Sequence, residues 1–389
     1  MDRERPADSL SIKAILASST SARIKGVKLV DRILGRAAVR LCGRARPTPL
    51  PIDGRAIRRV LVLRPGGLGD AVLLIPMLRQ LKQLLPHAEI DVFAESRNAA
   101  VLNMLEKTVH RCISLDRQPL AVPVMMLTRP YQLVIDTEQW HHATALLACL
   151  SGAAIRVGFD TNPARSRCYT VRVPYRQDEF EGRSFLRMLS MLTGRALEAD
   201  WGQPFLRLPS PLLSTMQQRV RGRRLITIAV RGGIPERCWP PEQLRRTVGE
   251  LTAEGWDVCL VGTQADQPTA QQIRQGVPHD RILDWTGQLS LPETMAVLAC
   301  SRVFLGTDSG LMHVAYALGT PRVALFGAGI EAKWAPPSGT HTRVLNRHLP
   351  CSPCTVFGYT PKCPIGVQCL REISSDEVLR ALHELAGTV

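Results

Sequence analysis

Twice in this chain an apolar run stops at a turn of small and polar residues, and a helical run starts at once. Val303-Phe304-Leu305 leads into Thr307-Asp308-Ser309-Gly310-Leu311-Met312-His313, and Val60-Leu61-Val62-Leu63 leads into Arg64-Pro65-Gly66-Gly67-Leu68-Gly69-Asp70. A strand that turns directly into a helix leaves the first N–H groups of the helix open. Those donors and the helix dipole attract anions, phosphate above all. Gly310 lets the backbone approach a bound group closely, Asp308 or Ser309 is expected to cap the helix, and His313 falls about one turn in, on the side of the opening. The turn before Asp70 has neither the G-x-G-x-x-G spacing of a dinucleotide site nor the Gly-Lys-Ser/Thr of a P-loop. Asp70 itself reads either as a helix N-cap or as a general base at the mouth of a cleft.

The alternation continues on both sides of these segments. Strands are expected at Val60–Leu63, Glu89–Phe93, Arg111–Leu115 and Leu133–Asp136, with helices at Leu73–Leu85 and His142–Cys149. Pro204, Pro209 and Pro211 mark a junction, and the pattern restarts at Leu225–Val230. Strands at Asp257–Gly262, Ile282–Asp284, Val303–Gly306 and Arg322–Phe326 then alternate with helices at Pro241–Thr252 and Pro292–Ala299. This predicts an α/β protein with two Rossmann-like doubly wound domains facing a cleft, since ligands of open parallel sheets bind beyond the C-terminal strand ends. The expected division is a basic extension over 1–57, a first domain over 58–208, a second over 222–372, and a C-terminal helix over 373–389. Within the extension, Ile12 to Leu41 mixes apolar positions with Lys13, Arg23, Lys25, Lys28, Arg32, Arg36 and Arg40. It reads either as an interfacial helix on anionic lipid or as a helix packed on the body, and Pro47, Pro49 and Pro51 follow as an extended linker.

A formal net charge of +15 asks for an anionic partner. Aromatic residues make up only 5%, too few for the stacking platforms of single-stranded nucleic-acid binders, so phosphorylated small ligands and a membrane surface are favoured and nucleic acid is not expected. No run approaches the ~18 apolar residues of a membrane span, and no signal peptide is read, so the expected location is cytoplasmic, peripheral to the inner face of the membrane. Most of the 11 cysteines stand singly in apolar segments. Cys351, Cys354, Cys363 and Cys369 cluster with one C-x-x-C pair, which suggests a structural zinc site, with reduced packed thiols or a redox-labile pair as the alternatives. His141 and His142, adjacent at a helix start, are expected at the surface, and Arg97 as a solvated loop charge.

Taken together, Val60 to Asp70 with Pro76, Tyr131-Gln-Leu-Val-Ile-Asp136, Arg156-Val-Gly-Phe159 and Asp308-Ser-Gly-Leu-Met-His313 resemble glycosyltransferase family nine, the ADP-heptose:lipopolysaccharide heptosyltransferases. The resemblance runs from about Val60 to the C-terminus. It implies the two-domain arrangement called GT-B, with the acceptor on the N-terminal domain and the nucleotide-sugar on the C-terminal one. It also implies inverting transfer with no cofactor for catalysis, from a nucleotide-sugar donor to an anionic lipid-linked saccharide. Asp70 matches the family's base, and Asp308, Ser309, Gly310 and His313 match its diphosphate site. Arg237 stands before Trp239-Pro240 where the family has a basic phosphate contact, often Lys, and Asp266 is a looser match to its ribose-holding acid. Gly67 and Arg64 beside the first turn are candidates for acceptor or phosphate contact. Two other readings share these features: a nucleotide-sugar epimerase of the same two-domain type, and a non-catalytic module that binds nucleotide-sugar or nucleic acid.

Overall fold

Strand after strand in this chain is apolar on both sides, as only a sheet covered on both faces requires. The computed structural model describes residues 22–42, 44–118, 120–278, 280–337, 339 and 341–387. It divides into two compact units: one runs to Ala199 and takes back Val356–Tyr359, the other comprises Asp200–Thr355 and the chain from Thr360.

The first unit holds β1 (Arg59–Arg64), β2 (Glu89–Ala94), β3 (Arg111–Ser114), β4 (Leu133–Asp136), β5 (Ile155–Phe159) and β6 (Val171–Val173). Their order across the sheet is β3-β2-β1-β4-β5-β6, and every pairing is parallel. Leu61, Leu63, Phe93 and Val134 bury one face of the sheet under Val122 and Met125 of the helix Ala121–Thr128, Ala145 and Ala148 of His142–Leu150, and Val39 of Arg36–Leu41. The opposite layer is built from the mutually packed helices Leu68–Leu73, Ile75–Leu84, Ser96–Asn103 and Glu181–Thr193.

The second unit repeats the plan with β7 (Leu225–Ala229), β8 (Asp257–Val261), β9 (Ile282–Asp284), β10 (Val303–Thr307), β11 (Arg322–Phe326) and β12 (Thr342–Asn346). The order is β12-β11-β10-β7-β8-β9, again parallel throughout. Read in sequence, each sheet starts in the middle, winds to one edge, returns to the middle and winds to the other edge. The reversal falls between β1 and β4 in one unit and between β7 and β10 in the other. Helices Pro241–Ala253 and Ser375–Gly387 cover one face of the second sheet through Leu244, Val248, Leu251, Val378 and Leu382.

Several boundaries differ from the sequence expectation. Residues 200–208 belong to the second unit, because the Phe205 and Leu206 N–H groups both donate to Ala317 O and the Tyr316 hydroxyl donates to Trp201 O. The C-terminal helix is likewise part of that unit's core. The segment read as an extension packs on the first unit over its described part, whereas residues 12–21 of the expected interfacial helix lie outside the described residues. Its helix Ala22–Val30 passes through a wider turn at Asp31–Gly35 into Arg36–Leu41. There the buried Asp31 carboxylate accepts from the N–H groups of His142 (2.9 Å) and Ala143 (2.7 Å), capping another helix from outside. His142 is accordingly buried rather than at the surface, with Nδ1 3.3 Å from Asp31.

These bonds hold the Asp31 carboxyl far below its usual range, despite the opposing effect of burial. Its stabilising charge is present above the unfolded pKa of ~4 and is lost as pH falls below that value. Asp31→Ala is therefore expected to lower unfolding stability by about 1–2 kcal/mol at neutral pH, measured by urea denaturation. The deficit should shrink in acid, and a pH-independent or absent loss would contradict the cap.

Candidate functional sites

Where a doubly wound sheet reverses, the loops leaving the two central strands turn to opposite faces and the strand ends stay open. The motif-bearing loops of both units lie at these points.

In the first unit, β1 ends at Arg64 and the turn Pro65–Gly67 starts the helix Leu68–Leu73. Gly66 takes a positive φ of 84°, and its carbonyl accepts from the buried Asn98 side-chain amide. The residue capping the helix is Gly67, with no side-chain bond, and Asp70 lies inside the first turn. Asp70 is thus not the N-cap. Its carboxylate folds back so tightly over Gly67 that a Cβ there would sit 1.8 Å from Oδ2. The neighbours are charged. Arg64 Nη1 lies 3.5 Å from Asp70 Oδ1, while Arg64 Nη2 donates to Glu138 Oε2 at 2.8 Å and Nη1 to Thr137 O at 3.0 Å. Glu138 comes from the loop after β4, across the reversal, and its Oε1 accepts from the Gln139 and Trp140 N–H groups. Arg64 was a candidate for acceptor or phosphate contact, but it is buried with its donors turned to these protein groups. It positions the carboxylates instead.

Burial raises the Asp70 pKa to about 6; Arg64 opposes the shift, and Glu181 and Glu138 add to it. The base candidate is therefore a stronger proton acceptor than an ordinary carboxylate and is still mostly deprotonated at neutral pH. Glu181, from the helix Glu181–Thr193, bonds to Gln139 and to the Tyr175 hydroxyl. Arg97 pairs with Glu95 at 2.7 Å on the rim.

In the second unit, β10 ends at Thr307, and Ser309 precedes the helix Gly310–Leu318 in extended geometry (φ −151°, ψ 167°). Neither Ser309 nor Asp308 caps that helix with its side chain. Asp308 turns away to Arg237 Nη1 at 3.1 Å, its Oδ2 packed where a Cβ on Gly329 would lie 1.9 Å off. Burial raises the Asp308 pKa and Arg237 opposes the rise. Arg237 itself comes from the loop after β7, on the other side of the reversal. Five buried polar atoms of these residues have no hydrogen-bond partner among the described residues: Thr307 Oγ1, Asp308 Oδ2 (which is ion-paired with Arg237), Ser309 Oγ, His313 Nδ1 and Arg237 Nε. Buried polar atoms are rarely left so. His313 is enclosed beside Trp334, and burial, with Arg237 and Arg322, lowers its pKa to about 3. It is a neutral hydrogen-bonding group, not a cation, at any physiological pH.

Asp266, the ribose candidate, is held by its own turn. Its Oδ2 accepts from the Thr263 N–H (2.8 Å) and hydroxyl (2.8 Å), closing a capping box, and only Oδ1 points toward Arg231 at 3.8 Å. The four clustered cysteines lie near one another: burial raises the Cys354 and Cys369 thiols, and Cys351 and Cys363 add to the rise in both. Cys369 is buried against Gly327, Cys363 Sγ accepts from the Val367 N–H, and Cys351 is exposed. Among the described residues no three His, Cys, Asp or Glu side chains gather as a metal set. Sequence reasoning missed Glu138, Glu181, Thr307 and Gly329. Thr307 and Glu138 carried a signal, standing one and two residues past the ends of predicted strands.

An uncapped helix start, an arginine held by a buried aspartate and unpartnered hydroxyls together form an anion cradle. Arg237→Ala should weaken pyrophosphate binding by about tenfold or more, measured by calorimetry, since charge-assisted bonds contribute ~1.5–3 kcal/mol. Gly329→Ala should weaken it as well, by displacing Asp308; unchanged affinity in both variants would contradict the cradle.

A sequence profile described as glycosyltransferase family 9 (heptosyltransferase) matches residues 125–363, more than half of the chain. Lipopolysaccharide heptosyltransferase 3 of Escherichia coli is 23% identical over 288 residues, covering 69% of this chain and 83% of that protein. Lipooligosaccharide heptosyltransferase 2 of Haemophilus ducreyi is 26% identical over 294 residues, with the same shares of 69% and 83%. Among solved structures, the E. coli ADP-heptose LPS heptosyltransferase II superposes with a TM-score of 0.69 at 22% identity, covering 85% of this chain and 99% of that one. A family 9 glycosyl transferase from Veillonella parvula gives 0.72 at 20% identity, covering 88% and 100%. The fold is the two-domain GT-B type of these structures, and the chain belongs to glycosyltransferase family 9, the heptosyltransferases.

Proposed function

We propose that this protein transfers a heptose from ADP-heptose to a lipopolysaccharide core acceptor, with inversion at the anomeric carbon and without a metal. The observation that carries this reading is the open helix start at Gly310, with its unpartnered buried polar atoms and Arg237, a cradle suited to the diphosphate of a nucleotide-sugar. The named activities of the relatives supply the sugar and the acceptor.

The steps balance with the groups present. An acceptor hydroxyl oxygen bonds to the anomeric carbon as its proton passes to Asp70. The bond from that carbon to the diphosphate oxygen breaks, and its electron pair leaves with ADP. The charge growing on the diphosphate meets Arg237, the helix N–H groups and the neutral His313, fixed dipoles that need little reorganisation. Positive charge for the leaving group thus comes from the chain itself. On the acceptor side, Lys28 lies near Glu138, 4.0 Å over the Tyr359 ring, and adds a cation for a phosphorylated saccharide. Such an acceptor is lipid-linked, which puts the enzyme at the inner face of the cytoplasmic membrane. No helix among the described residues is long and apolar enough to cross it, and a peripheral association is the proposal.

A thermal-shift screen of nucleotide-sugars tests the donor. ADP-heptose should raise the melting temperature in proportion to log concentration above its Kd, and a shift with other nucleotide-sugars alone would refute it. Because Asp70 acts deprotonated, kcat/KM for the acceptor should rise with pH and level off above an inflection near 6. Glu181→Gln removes one of the negative charges that raise this pKa, so it should move the inflection to lower pH. A profile flat from pH 5 to 8 would rule out Asp70 as the titrating base.

A further inference from the structure

The exposed apolar side chains of this protein are not scattered. Of the twelve large hydrophobic residues that are exposed among those described, eight lie on one layer of the first unit: Val30, Ile33, Leu34, Leu41, Leu120, Val124, Leu127 and Leu150. Helical spacing explains how. Along the N-terminal helices, Asp31, Gly35 and Val39 form the inward row, held by the Asp31 cap and the core position of Val39. Val30, Leu34 and Leu41, with Ile33 beside them, then fall on the outward row. In the helix Ala121–Thr128 the inward pair is Val122 and Met125, and Leu120, Val124 and Leu127 recur on the other side at helical spacing. Val39, Val122 and Met125 belong to one core cluster on the same layer, while Asp31 and Gly35 sit against the start of the helix His142–Leu150, so the outward rows lie on that layer's outer side. Leu41 is 89% exposed and Leu127 86%, values unusual for leucine in clustered positions.

The charge beside the N-terminal row is of one sign. From Ala22 to Arg46 the chain has eight Lys or Arg and one acid, Asp31, whose carboxylate is buried and committed to the cap. Arg40, Arg44 and Arg46 are exposed beside the apolar row, whereas Lys28 and Arg32 lie over the Tyr359 and Trp140 rings at 4.0 and 5.8 Å. An apolar stripe with a cationic flank is the pattern of a helix lying in a lipid interface. We propose that this layer, both the N-terminal helices and the helix Ala121–Thr128, is the surface by which the protein docks on a bilayer rich in anionic lipid. The proposal rests on the membrane-peripheral reading above and adds the surface to it. An uncharged lipid surface would match the leucines but not the arginines, and a second copy of the chain would bring cations against cations.

Flotation of the full chain with vesicles tests this. Vesicles of phosphatidylcholine with about a third phosphatidylglycerol should carry the protein upward, and phosphatidylcholine alone should carry far less. Val124→Asp with Leu127→Asp, and separately Arg40→Glu with Arg44→Glu, should each reduce binding by about tenfold or more. Their ADP-induced thermal shift and their transfer to a soluble acceptor fragment should match the parent. Binding to anionic vesicles that survives both pairs of substitutions overturns the proposed surface. So does a parent that ignores vesicles but forms a dimer broken by Leu127→Asp. Neither result touches the transfer reaction; loss of transfer by the parent, with vesicle binding intact, would overturn the reaction and leave the surface standing.

Discussion

The site chemistry of this protein depends on one topological constraint, the reversal of winding at the centre of each parallel sheet. Right-handed crossovers send the chain after β1 and after β4 to opposite faces, and the same holds for β7 and β10. The ends of the central strands are thereby left uncovered. Arg64 and Glu138 meet because they leave neighbouring strands at such a point, although they are 74 positions apart in sequence. Arg237 and Asp308 meet for the same reason in the second unit.

At each reversal the fold then makes an electrostatically unfavourable arrangement and holds it rigidly. Asp70 is enclosed beside two further acidic residues with one arginine to offset them, so its proton is held to about pH 6. The second unit does the opposite. It leaves a helix start uncapped and turns the obvious capping aspartate aside to fix an arginine. Both aspartates are seated against a glycine with no room for a Cβ, Gly67 under Asp70 and Gly329 under Asp308. Departures of this kind from local rules cost stability, and they concentrate where function requires them. In the proposed reaction they separate a group that accepts a proton from a group that accepts negative charge.

Much of this was legible in the sequence where the signal is local. The central strands, such as Val60–Leu63 and Val303–Leu305, are uninterrupted apolar runs, and the turns after them contain the residues that function singles out. The outer strands were harder. Ile155–Phe159 contains Arg156 and Gly158, Val171–Val173 is three residues long, and Thr342–Asn346 is half-exposed, so none was read as a strand. The cap expected of Asp308 or Ser309 does not form, and of the two readings of Asp70 the N-cap is not the one adopted, because residue type indicates a capping preference while the tertiary partner decides it. The return of Val356–Tyr359 to the first unit, where Tyr359 packs edge-on to Trp140 at 4.9 Å, has no local signal at all. Nor does the outside cap of one helix by Asp31, 111 positions away from its partner His142.

The central claim is that proton acceptance and leaving-group stabilisation are performed by separate residues, one in each unit. The most direct measurement pairs ADP affinity with single-turnover transfer in Asp70→Asn. The amide keeps the shape of the side chain and removes only its ability to take a proton. The account predicts an ADP dissociation constant equal to that of the parent, with transfer reduced by about 10²-fold or more. Transfer at the parental rate would contradict it.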